Sequence, residues 1–200
     1  RICKAHDLGS LNKKMKENKR RIIKEKAGEL GHIDCHYLEP GIINGEHKKR
    51  YLVCVIDSCT RIAWAEVVDD IKSLTVMFTA LKCFNMIQKQ YDIQFAEILS
   101  DNGSEFASKN NLAQHPFERM LVEMGVKHRY TRPYRPQTNG KVERFWRTLN
   151  EDLIDGTDFD SIDELKKELF EYMIYYNEFR PHSAIGGLNP KKFRENLSSK

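Results

Sequence analysis

RYLVCVIDSCTRIAWAEVV, Arg50–Val68, reads as two strands joined by a tight turn. RYLVCVIDS is the apolar run of a central strand, and RIAWAEVV follows at once, so the pair is a hairpin turning near Ser58–Thr60. Upstream, HIDCHYL alternates, placing His32, Asp34 and His36 on one face of a third strand and Ile33, Cys35 and Tyr37 on the other. EPGIINGEHKK is the turn-rich connection between them.

Downstream, the apolar period changes from two to that of a helix. In SLTVMFTALKCFNMIQKQY, Leu74, Phe78, Leu81 and Phe84, with Met77 and Ile87, predict an amphipathic helix lying on the sheet. IQFAEILS is the next strand and ends at Asp101–Asn102–Gly103. Glu105 reads as a helix-start residue and ASKNNLAQHP as a polar insertion. FERMLVEMG is a helix stopped by Gly125, VKHRYT a short strand and RPYRPQTNG a loop. GKVERFWRTLNEDL is a helix with a buried stripe of Val142, Phe145, Leu149 and Leu153, Trp146 in the core and Glu143 at the stripe's edge. DELKKELFEYMIYYNEF is a last amphipathic helix, stopped at Arg180–Pro181. Three strands, helix, strand, helix, strand, helix, helix is the order of an α/β fold with a five-stranded mixed sheet flanked by helices.

Composition narrows the function classes. Of 200 residues, 40% are hydrophobic and 10% aromatic, as in a globular protein, and no apolar run is long enough to span a membrane. Five cysteines without a CxxC pair suggest neither a disulfide framework nor a zinc site, and buried free thiols in a reducing cytoplasm are expected. The net charge of +4 conceals a division. Residues 1–30 carry ten Lys/Arg and four Asp/Glu, and read as a basic linker or arm. Residues 127–147 carry seven Lys/Arg and only Glu143, interleaved with aromatic, proline and amide residues, whereas 148–180 carry three Lys/Arg and ten Asp/Glu. Local charge decides where a polyanion binds, so 127–147 is the candidate nucleic-acid surface.

Three acids, Asp34, Asp101 and Glu143, stand at strand or helix positions from which they can converge. Clustered carboxylates repel, and a divalent cation relieves the repulsion. Beside a basic surface, such a site suits in-line phosphoryl transfer. Each acid alone is a weak signal, since an Asp after a strand is most often a turn residue and a Glu early in a helix serves the macrodipole. His32 and His36 share the predicted face of Asp34, but packing or hydrogen bonding suits them better than ligation of a hard cation. Asp57 is read as a turn cap with Arg61.

HIDCHY, YLVCVIDSCTRIAWAEV, SDNGSEF, TRPYRPQTNGKVERFWRTL and YYNEFRPHSAIGGLNP, in this order, resemble bacterial insertion-sequence transposases with a retroviral-integrase-type DDE core, in the ribonuclease-H-like superfamily. The resemblance covers roughly residues 29–192. It implies a ribonuclease-H-like fold, with a basic arm over 1–30, a catalytic core over 31–180 and a C-terminal tail over 181–200. Asp34, Asp101 and Glu143 would be the catalytic, metal-binding triad for Mg²⁺, with Mn²⁺ able to substitute. Strand cleavage and strand transfer on DNA, at element ends and target, are the implied activity. A homodimer or higher assembly in the bacterial cytoplasm is the implied setting. In this family the loop before the glutamate touches DNA, which puts Tyr134, Arg135, Gln137, Asn139 and Lys141, on the loop and helix start, among the DNA contacts, with Arg144 and Arg147 beside Glu143 on its helix available for phosphate. An ion pair between Glu143 and Arg147 is the plainer alternative for that arginine. Asn177, Arg180 and His182 are expected to fix the C-terminal turn. The 41 residues between Asp101 and Glu143 exceed the family's usual spacing, and Ala107–Pro116 absorbs the excess. A ribonuclease-H-like nuclease and a decayed, DNA-binding transposase remnant are the competing functions.

Overall fold

The computed structural model describes residues 24–108, 115–131 and 139–198. The hairpin forms as its sequence predicts: β2 (Arg50–Asp57) and β3 (Ala63–Val68) are antiparallel, with Val55 opposite Trp64. β1 (Gly31–Leu38) pairs antiparallel with β2 on its other side, with Asp34 opposite Cys54. β4 (Glu97–Ser100) runs parallel to β1, and β5 (Lys127–Tyr130) runs parallel to β4. The five-stranded order is β3-β2-β1-β4-β5. β2 is central and almost wholly buried, which explains its unbroken apolar run. Gly31 permits the close approach of β1 to its neighbours. A Cβ there would come within 2.6 Å of Ile98 Cδ1 and 2.8 Å of Phe95 Cδ1.

Helices cover this sheet. α1 (Ser73–Tyr91) packs on β2 and β3 by only part of the predicted stripe, Phe84 and Ile87. Its buried residues are Val76, Ala80, Cys83, Phe84, Ile87 and Tyr91, while Leu74 and Phe78 are 56% and 64% exposed. The predicted phase followed the largest side chains. The sheet instead receives the stripe that includes Ala80 and Cys83, small enough for the helix backbone to approach closely. α2 (Pro116–Glu123) ends before Gly125, whose φ of 67° provides the left-handed stop. Glu105 does not start a helix, since 104–106 form a turn that buries Phe106.

α3 (Gly140–Leu149) packs on β1 and β2 and buries Val142, Phe145, Trp146 and Leu149. The α-helix is shorter than predicted, because Asn150–Ile154 continue as a π-helical turn. α4 (Ile162–Glu178) starts at Ser161, whose hydroxyl accepts the Glu164 N–H at 3.1 Å, and packs on β3. A 3₁₀ turn over Ser183–Ile185 leads to α5 (Pro190–Ser198), which lies against α4. The Arg194 guanidinium donates to the carbonyl and carboxylate of Asp92 beyond the end of α1, tying the two helices together.

Asn177 is the strongest polar tie between α4 and the sheet. It is fully buried. Its carboxamide oxygen accepts the Ala63 N–H at 3.0 Å, and its nitrogen donates to the carbonyls of Ala63 and Met173, each at 2.8 Å. An asparagine side chain thus satisfies both backbone groups of an edge-strand residue. Asn177→Leu leaves those groups buried and unpaired, and is expected to destabilise the fold by about 2–4 kcal/mol in urea denaturation.

Candidate active site

Asp34 and Asp101 are brought together by strand register. His32 pairs with Leu99 across the parallel β1–β4 ladder, so each aspartate stands two residues beyond a paired position. Asp34 within β1 and Asp101 just past the end of β4 therefore stand at the same level of the sheet. Asp34 is half-buried and its Oδ2 accepts the Trp146 indole N–H at 2.8 Å. Trp146 is in the core, as read from sequence, and also reaches polar partners. Its ring stacks on His36 with centroids 5.0 Å apart. Contact with Asp34 and His36 together shows that the shared face of β1 lies under α3.

Asp101 closes an Asx turn, its Oδ1 accepting the Gly103 N–H at 2.9 Å. Behind it, Ser100 Oγ donates to the Asp101 carbonyl and contacts His128, whose other ring nitrogen meets Glu118 at 2.6 Å. Asn102 donates to the Thr131 carbonyl at 3.0 Å. These contacts hold the β4 end from both sides. Glu143 lies exposed in the first turn of α3, its N–H bonded to the Asn139 carbonyl at 3.2 Å.

The charges of the other two acids reach Asp34, as lesser effects beside its burial. Burial pushes the Asp34 carboxyl up to about 6. The indole N–H of Trp146 opposes that shift, whereas the negative charges of Asp101 and Glu143 add to it. Glu105 is also raised, first by burial and then by Asp101. Among the described residues, no three acids or other ligating side chains stand around one point as a closed metal site. The chemistry of the donor set, three carboxylates, nevertheless suits a hard divalent cation, with no thiolate or imidazole required.

The neighbouring histidines are used in packing and hydrogen bonding. His32 is fully buried, and its Nε2 lies 3.3 Å from Ser58 Oγ. Burial holds its imidazole neutral, down to about 3. His36 stacks on Trp146 and contacts Asn150. Asp57 caps its turn with a different partner from the one predicted. Its carboxylate accepts the N–H and hydroxyl of Thr60 at 2.7 and 2.8 Å and the Gly28 N–H at 3.0 Å, while Arg61 reaches Asp57 by its backbone N–H, on the carbonyl, and not by a guanidinium–carboxylate bond.

Of the seven expected DNA contacts, Tyr134, Arg135 and Gln137 lie outside the described residues. Asn139 is buried against His32, so it supports the start of α3. Lys141 bonds Ser58 Oγ, and burial, followed by the Arg61 charge, lowers its ammonium to about 8. Arg144 and Arg147 are exposed on α3, and no ion pair joins Arg147 to Glu143. A cleft of about 810 Å³ opens beside Glu143, and Arg144, Arg147, Arg61 and Arg180 line it. Sequence reading overlooked Arg61 here. The signal was a non-glycine residue at the end of a tight hairpin turn.

Integrase core domain models match residues 25–136 and 124–190, the first alone covering more than half of the chain. The chain belongs to the integrase core domain family. ORF3 of Spiroplasma virus SpV1-C74, a protein named as an integrase, is 27% identical over 196 residues, which are 94% of this chain and 54% of that protein. The transposase InsD for insertion element IS2D of Escherichia coli (strain K12) is 29% identical over 156 residues, covering 75% of this chain and 48% of its own length. The chain thus spans about half the length of these relatives. The HTLV-2 integrase catalytic core domain, solved in complex with magnesium in a dimeric form, superposes with a TM-score of 0.61 at 15% identity, covering 88% of this chain and 99% of that one. That likeness confirms the ribonuclease-H-like sheet.

The Trp146–Asp34 bond makes a prediction about the metal-free protein. Trp146→Phe keeps an aromatic ring beside His36 but removes the contact that favours the charged carboxylate. The Asp34 pKa is expected to rise above about 6, readable by carboxyl-carbon NMR titration. An unchanged value would mean the indole N–H contributes nothing.

Proposed function

We propose that this chain is the catalytic core of a DNA transposase, with Asp34, Asp101 and Glu143 as its metal-binding carboxylates. The observation that carries the reading is the β1–β4 register that stands Asp34 beside Asp101, with α3, the helix of Glu143, laid over the same face through the Trp146–Asp34 bond. Membership of the integrase core family supports DNA as the substrate. The magnesium in the solved HTLV-2 domain supports Mg²⁺ as the cation, with Mn²⁺ as a substitute. That domain's dimeric form, and the need to join paired ends, support a homodimer or larger assembly.

Divalent cations held by the three carboxylates would activate the attacking oxygen and stabilise the leaving one in an in-line displacement, without a covalent enzyme intermediate. The chain's own residues provide the setting. The β1–β4 register fixes two carboxylates side by side, and Trp146 orients the buried one. α3 carries the third acid together with Arg144 and Arg147, so the phosphate-attracting surface moves as one body with a metal ligand. The described helices include none long and apolar enough to cross a membrane.

The test is a branched DNA that mimics the joined product, incubated with Mg²⁺ or Mn²⁺. Wild type is expected to reverse the joining. Asp101→Asn is expected to lose about 10³-fold or more in rate while its circular dichroism spectrum is unchanged. Retained activity in the folded variant would sink the assignment. Cleavage of an RNA–DNA hybrid instead would move the chain to the nuclease class.

A further inference from the structure

We infer that Arg61, at the end of the β2–β3 turn, is a DNA-backbone contact that seats a phosphodiester in the cleft beside Glu143. This rests on the reading of the chain as a DNA-processing core and adds an element that lies far in sequence from the basic stretch 127–147. The turn over Ser58–Arg61 is closed by the Asp57 N–H to the Ile62 carbonyl at 2.8 Å and by the Arg61 N–H to the Asp57 carbonyl at 3.1 Å. Such closure places the turn's last residue in left-handed backbone, and Arg61 has a φ of 70°. Glycine adopts that conformation freely, whereas a side chain with a Cβ is strained there. Only Arg61 and Asp92 among the described non-glycine residues have positive φ. Strain retained at a turn beside a polar cleft points to a use for the side chain.

The surroundings of Arg61 specify the ligand's charge. Its guanidinium is half-buried and donates to the Ser58 carbonyl. Lys141 reaches the hydroxyl of the same Ser58, so two cations are drawn over one residue. The nearest acid of the turn, Asp57, is filled by Thr60 and Gly28. Arg180, on the opposite wall, is neutralised by Asp152 at 2.6 Å. Arg61, Lys141, Arg144 and Arg147 thus line one cleft, in which Glu143 and Glu151 are the only acids among the described residues. Burial disfavours the charged form of Arg61, a cost that an anion in the cleft would offset. Glu143 sits within the same lining, so a strand entering the site would lay its neighbouring phosphates along this wall. A planar guanidinium matches two phosphate oxygens at once, which an ammonium does not.

The experiment is fluorescence anisotropy of a labelled short DNA duplex, titrated with the 200-residue chain in EDTA over a range of salt concentrations. Arg61→Gly suits the left-handed backbone, so the variant should retain the wild-type unfolding midpoint or exceed it. Its affinity should fall about tenfold, and its salt slope should shrink by about 0.9, the loss of one phosphate contact. Arg61→Lys should recover part of both. A folded Arg61→Gly with wild-type affinity and slope would overturn the inference, as would a wild-type chain that does not bind the duplex. Without divalent cation, the result does not depend on the carboxylates. Failure of the Asp101→Asn test would leave an Arg61 effect standing, and loss of the Arg61 effect would leave the metal assignment standing.

Discussion

Two carboxylates stand at one level on adjacent parallel strands, where like charges repel, and the architecture holds them there regardless. β1 is the only strand in the sheet with an antiparallel neighbour on one side and a parallel neighbour on the other. That arrangement fixes the level at which Asp34 and Asp101 emerge. The antiparallel hairpin supplies the rigid backing, and the β1–β4 pair supplies the acids. α3 then crosses this face with Trp146 pointing down and Glu143 at the rim. Burial raises the Asp34 carboxyl first, and the charges of Asp101 and Glu143 add to it.

The polar ties below the site follow the same logic. His32, Ser58, Lys141 and Asn139 come from β1, the hairpin turn and the start of α3, and they meet beneath the catalytic face. They are bonded or packed as neutral groups or as a single cation, so they position the elements. The two acidic turns differ in their availability. Asp57 is filled by backbone and hydroxyl donors, whereas Asp101 accepts one backbone N–H. That difference separates a structural aspartate from one with lone pairs left for a ligand.

Much of this was readable in the chain itself because period and punctuation agree. The alternation of HIDCHYL, the apolar run of β2 and the hairpin turn gave the sheet, and the quoted motifs gave the family. Phe84 and Ile87 of α1 are buried as read, but its first turns were misread because Leu74 and Phe78 are large and apolar, and tertiary packing preferred the smaller Ala80 and Cys83. The partner of Asp57 was missed because the backbone closes the turn and leaves the Arg61 side chain elsewhere. The second role of Trp146 has no one-dimensional signature. An indole N–H finds its acceptor only when the helix is laid across the strand. The same applies to Arg61, whose unusual backbone is invisible until the turn is built.

The Asn177 carboxamide on Ala63 has a consequence for the behaviour of the protein in a crowded solution. β3 forms one border of the sheet, and a bare border recruits strands from other molecules. By taking both backbone groups of Ala63, Asn177 occupies the first rung that an incoming strand would need. A single amide thus works as a stopper against sheet-to-sheet polymerisation, and it is carried by the helix that must dock for folding to finish. Before α4 docks, that border is open; afterwards it is closed at its end. Chains caught between those two moments are the ones most exposed to self-association.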